Sequence, residues 1–347
     1  MTAYRALALQ TRLDTINSMP DVISARELMH RTIARVGSEA AAASAWIGKD
    51  LRLVVLPEYF LTGYAMGDPI EQWTEKAAID PEGPEYQALG EIAKTHNLFL
   101  AGNVFERDAH FPGMNFQCCF VIAPTGSVIL RYRRLNSMFT PTPHDVWDRY
   151  LEIYGYEGVF PVAATEIGVI APIASEEILY PEVARAFAMR GAEVFFHPTS
   201  QTNEHAIAAK DVCTVARAIE NMAYVVSANT GGIFGTAIPC DSTNGGSKIV
   251  DHRGLVISRA GFGETMTCSA EIDLNALRRF RTRPAMENLL ARQRFDLFAE
   301  GYRTHQHYPA NTMLSGIPPR SHFVETQRAT IARLIVSGVL LKPDPSN

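Results

Sequence analysis

Three short segments place chemistry-bearing side chains at the ends of apolar runs. In Leu56-Pro57-Glu58-Tyr59-Phe60 a carboxylate follows directly on the run Leu51–Leu56. Pro57 has no N–H for a ladder and stops the strand, so Glu58 stands at a sheet's C-terminal edge, where α/β proteins build sites. It is a candidate general acid or base there, and a solvated strand-end glutamate accounts for this motif equally well. Arg131-Tyr132-Arg133-Arg134-Leu135-Asn136 sets three cations within four residues at another strand end. One is expected to point inward, where it could stabilise an oxyanion or hold a carboxylate, and two to be solvated. The third segment, Ala174-Ser175-Glu176-Glu177-Ile178-Leu179-Tyr180-Pro181-Glu182, puts a hydroxyl and two acids between a strand and a helix. Such a turn can lift a side chain above the sheet beside helix N–H groups. Taken alone, these residues favour a plainer account: Ser175 caps the helix while Glu176 and Glu177 complement its dipole.

The elements that must carry these segments alternate between strand and helix. Tyr4–Gln10, Leu51–Leu56, Leu98–Val104, Phe116–Ala123, Ser127–Tyr132, Glu166–Ala174, Glu193–His197, Tyr224–Ala228 and Cys268–Asp273 read as strands, and Lys248–Ser258 as a hairpin. Ala25–Ala45, Glu85–His96, Pro181–Arg190 and Asp211–Asn221 read as helices. Pro124-Thr125-Gly126 signals a hairpin turn. Strands interleaved with helices and hairpins predict an α/β fold of mixed sheets covered by helices; two such sheets stacked give a four-layer α-β-β-α sandwich. Beyond about residue 300 the rhythm is lost, with a turn-rich stretch and one apolar helix over Glu325–Leu341. This predicts a main domain over 1–300 and a C-terminal extension, 301–347, that packs on a neighbouring subunit.

A chain of 347 residues with 47% hydrophobic and 20% charged residues belongs to the folded class. A net charge of -5 argues against nucleic-acid binding. No apolar run is long enough to cross a membrane, and the N-terminal stretch lacks the pattern of a secretory signal. Five scattered cysteines without a CxxC fit a reducing cytoplasm and exclude a thiolate metal site. The His305-Gln306-His307 pair reads as solvated loop, so no metal is expected.

Several segments at consistent spacing resemble the nitrilase superfamily of carbon–nitrogen hydrolases over roughly residues 5–300. They are Gln10, LPEYFLTGY, GNVFE (102–106), RYRRLN, YPEVARAFAMRGAEVFFHPTS (180–200), RAIENMAYVVSANTGG (217–232), GSKIVDHRG (246–254) and AEIDL (270–274). The resemblance implies the α-β-β-α sandwich, a homodimer or larger homo-oligomer, a small amide-like ligand, and no cofactor or metal. It also implies a Glu–Lys–Cys triad in which thiolate attacks, Glu transfers protons and Lys stabilises the oxyanion. Carried over by position, the Glu falls on Glu58, the Lys on Arg134 and the following His on Asn136. Measured back from Tyr180-Pro181-Glu182 the Cys falls on Ser175; measured forward from Ile167-Gly168 it falls on Pro172. A proline offers no nucleophile, and Ser175 keeps the position at the turn before the helix. Tyr59, Glu176 and Asn136 are the expected substrate contacts, and a further acid has no fixed place within PTPHDVWDRYLEIYG.

Both changes are chemically large. A hydroxyl titrates far above a thiol and needs a strong adjacent base. A guanidinium favours a carboxylate's charged form and hardly loses a proton. The substituted triad therefore predicts a nitrilase-fold protein that is atypical or lacks the usual family turnover. The alternative is an active Ser175-dependent or water-based hydrolase of a small amide, carbamoyl compound or nitrile. Arg217-Ala218-Ile219-Glu220-Asn221 is expected to be a structural polar network supporting the site.

Overall fold

In the computed structural model, which describes residues 3–201 and 208–343, the apolar runs become the strands of two stacked six-stranded sheets. The first contains β1 (Ala3–Ala8), β3 (Leu51–Val55), β4 (Phe99–Arg107), β5 (Asn115–Ile122), β6 (Val128–Arg133) and β14 (Ser269–Asp273), in the order β14-β1-β3-β4-β5-β6. The second contains β7 (Ala163–Thr165), β8 (Gly168–Pro172), β9 (Val194–Pro198), β10 (Tyr224–Ala228), β12 (Lys248–Val250) and β13 (Val256–Arg259), in the order β13-β12-β10-β9-β8-β7. A short parallel pair, β2 (Leu13–Asp14) with β11 (Ile233–Phe234), lies outside both.

Side-chain alternation explains the stacking. Tyr4, Ala6, Ala8, Leu53, Val55 and Ala101 share one core with Val194, Phe196, Tyr224 and Val226 of the second sheet. Leu7, Val54 and Leu100, one residue out of phase, pack with Met29, Ile33 and Val36 of α1 (Val22–Ile47) and with Leu89 and Ala93 of α3 (Pro84–His96). The largely apolar sequence of β3, broken only by Arg52, follows, because its parallel neighbours β1 and β4 place it inside the sheet, covered on both faces. On the far side of the second sheet lie α5 (Pro181–Met189), which buries Val183, Ala184 and Phe187, and α6 (Ala209–Asn221). The four layers are those expected.

Departures from the expected elements have local causes. Within the run Glu166–Ala174 only β8 is strand, the second arm of a hairpin whose first arm, β7, precedes the run; Gly168 takes φ +102 where the chain reverses. Four helices were not legible as such: α2 (Ile70–Ala77), α4 (Trp147–Tyr154), α7 (Leu274–Thr282) and α8 (Asp296–Thr304). α7 follows β14, and the last helix, α9, spans Ser321–Val336 rather than Glu325–Leu341. The C-terminal extension is anchored on its own subunit, where Met313 and Phe323 are buried with Ile70, Phe111, Phe116, Val146 and Tyr150. Among the described residues no helix is long and apolar enough to cross a membrane.

Candidate active site

Three chain crossings meet at one end of the stacked sheets. Pro57 ends β3, and the Glu58 N–H turns aside to donate to the Thr199 carbonyl at 3.3 Å, tying the end of β3 to the residue after β9. The β5–β6 hairpin, closed by Gly126 at φ +89, runs in a register that pairs Cys118 with Arg133 and delivers Arg134 just beyond the ladder. After β8 the chain makes a short helical turn, Ser175–Leu179, before α5.

The buried Glu58 carboxylate receives Gln117 Nε2 at 2.6 Å and Arg134 Nη1 at 3.2 Å, both on Oε1. Arg134 also donates to Gln117 Oε1 at 2.6 Å and to the Asn136 carbonyl at 2.5 Å, and its remaining nitrogen is ion-paired with Glu176. Four of its five N–H donors thus have acceptors. Burial works against its charge, but Glu176, Tyr59 and Glu58 outweigh that and hold the guanidinium pKa above an ordinary arginine's. The other two cations of the segment are paired rather than solvated, because acids on the adjoining β4 end reach them. Arg131 binds Glu106 at 3.1 Å; Arg133 binds Asp108 at 2.6 Å and lies over the Tyr154 ring at 4.5 Å.

Ser175 is buried at φ +49, a left-handed backbone that a serine adopts only under constraint. It does not cap the turn, whose N-cap is Ala174. Its hydroxyl lies 3.0 Å from Lys210 Nζ, which is also 3.4 Å from Thr199 Oγ1. Burial pushes the Lys210 pKa down, Glu58 and Glu176 oppose this, and Arg134 adds to it. Pro172, the other candidate position, is held in β8 opposite Phe196.

Three braces hold the turn. His197 Nε2 meets the Ser175 carbonyl at 2.9 Å, and its Nδ1 meets Ser227 Oγ at 2.8 Å. Glu177, fully buried, accepts from Tyr132 Oη at 2.8 Å, the Leu135 N–H at 2.7 Å and the Asn136 N–H at 3.1 Å, locking the turn to the end of β6. Arg217 Nε donates to the Ile178 carbonyl at 2.9 Å, the supporting role expected of its segment. The two acids therefore divide: Glu177 is structural, and Glu176, a third exposed in its side chain, is the one on Arg134. Asn136 serves through its main chain rather than its side chain. The Tyr59 ring is stacked on Phe105 at 4.9 Å, which makes it chiefly a packing residue, while its hydroxyl feels the Glu58 and Arg134 charges.

Burial lowers the His197 pKa to about 3. The unfolded chain therefore binds a proton that the fold does not, and stability must fall as pH drops below about 6.5. We expect this group to contribute a loss of up to about 1.4 kcal/mol per pH unit between pH 6.5 and 3.5. Denaturant midpoints measured across that range should flatten in His197→Gln; an unchanged slope would contradict the assignment.

Lys210 with its two hydroxyl partners, Ser175 and Thr199, thus stands beside the ion-paired Glu58 and Arg134 at a strand-to-helix turn. Among the described residues no group of three or more His, Cys, Asp or Glu side chains could hold a metal ion. The sequence itself matches the carbon–nitrogen hydrolase family over residues 16–282. The chain belongs to that family. Among its relatives, a nitrilase of Pyrococcus abyssi is 29% identical over 66% of this chain and 80% of its own. A formamidase of Pseudomonas syringae is 26% identical over 78% and 74%, and an omega-amidase of Xenopus laevis 26% over 67% and 80%. The chain also shares its fold with a Helicobacter pylori carbon–nitrogen hydrolase, with a TM-score of 0.64 at 20% identity over 88% of this chain and 99% of that one. An amidase of Nesterenkonia sp. AN1, whose active-site cysteine is modified by acrylamide, aligns with a TM-score of 0.60 at 18% identity over 86% and 99%.

The structure joins Glu58, Arg134 and Glu176 directly, and Ser175, next to Glu176 in the chain, turns its hydroxyl to Lys210. Lys210, Gln117 and His197 were missed. Lys210, Thr214, Arg217 and Asn221 recur at helical spacing along α6, an inward polar stripe that could have marked the first of them.

Proposed function

We propose that this carbon–nitrogen hydrolase cleaves a small amide with Ser175 as nucleophile. The observation that carries the reading is the Ser175 hydroxyl, held at a left-handed turn and placed 3.0 Å from the half-buried Lys210 amine instead of capping a helix. A cap would have favoured a silent fold. In this reading Arg134 and Ser175 stand at the positions where family members carry Lys and Cys. Glu58 no longer serves as the base; its carboxylate orients Arg134, whose remaining N–H is left to stabilise the developing oxyanion. The names of the relatives (nitrilase, formamidase, omega-amidase) support a small amide or related C–N substrate.

Small amides, carbamoyl compounds and nitriles assayed with wild type and Ser175→Ala test the proposal. We expect wild-type amide hydrolysis and its loss in the variant. Turnover that survives Ser175→Ala but not Glu58→Gln would make the reaction a water-based one. A wild type inert to the whole panel would return the chain to the silent reading. The same proposal includes a reducing cytoplasm, suited to the free cysteines, and a homo-oligomer in which the extension 301–347 packs on a neighbour. Leu297, Phe298 and Tyr302 of α8, at the start of that extension and just before it, and Val336 of α9 expose apolar surface. Light scattering at micromolar concentration should give at least a dimer; a strict monomer would remove this part.

A further inference from the structure

We infer that Lys210 is the general base for Ser175, so that the site works as a serine–lysine pair. This rests on the Ser175 reading and goes beyond it by naming the group that makes a hydroxyl nucleophilic. Three independent features support it. The first is contact: among the described residues, the hydrogen-bond partners of Lys210 Nζ are two hydroxyls, Ser175 Oγ at 3.0 Å and Thr199 Oγ1 at 3.4 Å. A lysine retained for structure alone is normally buried against a carboxylate. The second is placement. Asp211, the adjoining residue, is ion-paired with Lys248 and Arg259, which fixes the first turn of α6 against β12 and β13. Thr214 Oγ1 closes that turn on the Lys210 carbonyl at 2.7 Å. The amine is therefore aimed, not floating. The third is exclusion: Glu58 Oε1 already accepts from both Gln117 and Arg134, and the described hydrogen bonds link Ser175 Oγ to Lys210, not to Glu58.

The electrostatic surroundings suit an amine that must be neutral to act. Burial is the largest influence on Lys210 and lowers its pKa below the ordinary 10.5; Glu58 at the end of β3 and Glu176 after β8 oppose this, and Arg134 at the end of β6 reinforces it. Arg134 is itself closely paired with both acids, which blunts their pull on the lysine. Of the remaining neighbours, His197 in β9 is neutral above about pH 3, and Lys248 in β12 is paired with Asp211.

The step balances without any further reagent. Neutral Lys210 Nζ takes the Ser175 proton as Oγ bonds to the amide carbon, and the C=O π pair moves onto oxygen beside the Arg134 and Lys210 cations. The intermediate collapses with C–N cleavage, and the Lys210 ammonium returns the proton to the departing nitrogen. Water then attacks the acyl ester, Lys210 takes its proton, and expulsion of Ser175 Oγ with that proton restores the site. Amide and water give acid and amine.

Phosphonylation of Ser175 by a fluorophosphonate tests this without knowledge of the natural substrate. Labelling rates and the labelled peptide are measured from pH 5 to 10 in wild type, Ser175→Ala, Lys210→Met and Lys210→Arg. We expect wild type to label at Ser175 with a rate that rises with pH to a plateau whose midpoint lies below 10.5. Both Lys210 variants should lose at least 30-fold and show no plateau, with cooperative melting retained. Lys210→Arg keeps a cation of similar reach and decides the matter if Lys210→Met does not fold. A loss smaller than 30-fold, or a flat wild-type profile, overturns the role of Lys210. If amide turnover still disappears in Ser175→Ala, the proposed function survives that result. A folded wild type that takes no label at Ser175 overturns both.

Discussion

Ser175→Ala should lower amide turnover by about 10^4-fold or more, the scale on which removal of a covalent nucleophile is felt when its partners act as a unit. Stability should change little, since among the described residues the only side-chain bond lost is the one to Lys210. Ser175→Gly sharpens the point. At φ +49 an L-residue carries backbone strain that glycine does not, so this variant should be as stable as wild type or up to about 1 kcal/mol more stable, and equally inactive. A more stable but dead enzyme would mean that the strain is maintained for the hydroxyl's position. Ser175→Cys supplies the complementary result. A thiol beside the half-buried Lys210 amine loses its proton far more readily than a hydroxyl, and its pKa should fall to about 7 or below. Iodoacetamide at pH 6.5 should then modify the introduced thiol roughly 10- to 100-fold faster than an ordinary surface cysteine. The background is low: Cys118, Cys119 and Cys268 are buried and desolvation raises all three, Cys268 to about 11. Peptide mapping separates the remaining two, Cys213 and Cys240. Modification no faster than that of exposed Cys240 would mean that nothing at this turn activates a nucleophile.

The parts of this structure that were legible in the sequence share one property: they depend on neighbours in the chain. β3 shows as LRLVV stopped by proline, α1 as apolar residues at helical spacing, the β5–β6 hairpin as Pro-Thr-Gly between two apolar runs. Glu58 and Ser175 were found because each follows a strand. Lys210 was not, because what makes it chemical is a contact with residue 175 that no local pattern records; in sequence it is one lysine at the start of a helix. Gln117 and His197 look like ordinary strand residues for the same reason. The division between Glu176 and Glu177 was equally invisible, since it depends on Tyr132 Oη and two N–H groups at the end of a strand in the other sheet. The expected capping role for Ser175 failed on a backbone angle, which a serine does not advertise.

Arg134→Met should be the most damaging single change to the fold near the site, costing about 3–5 kcal/mol. The substitution keeps most of the side-chain volume, so the loss is electrostatic rather than a cavity. It leaves the Glu58 carboxylate buried with Gln117 as its sole remaining described partner, strips Gln117 Oε1 and the Asn136 carbonyl of their donors, and releases Glu176. Removing one member of a buried pair is worse than removing both, because the survivor stays desolvated without compensation. Glu58→Gln placed on top of Arg134→Met should therefore recover about 1–3 kcal/mol, a coupling that urea midpoints of the two single variants and the double variant measure directly. Arg134→Lys separates charge from geometry. A lysine retains the cation but not the planar fork that reaches Glu58, Gln117 and Glu176 at once, so it should restore only part of the stability. Additive single-variant costs would show that Glu58 and Arg134 do not act as a pair, and that the carboxylate is free for proton transfer after all. Strong coupling, with Ser175 still labelled in Glu58→Gln, would leave the proton chemistry of the site to Lys210.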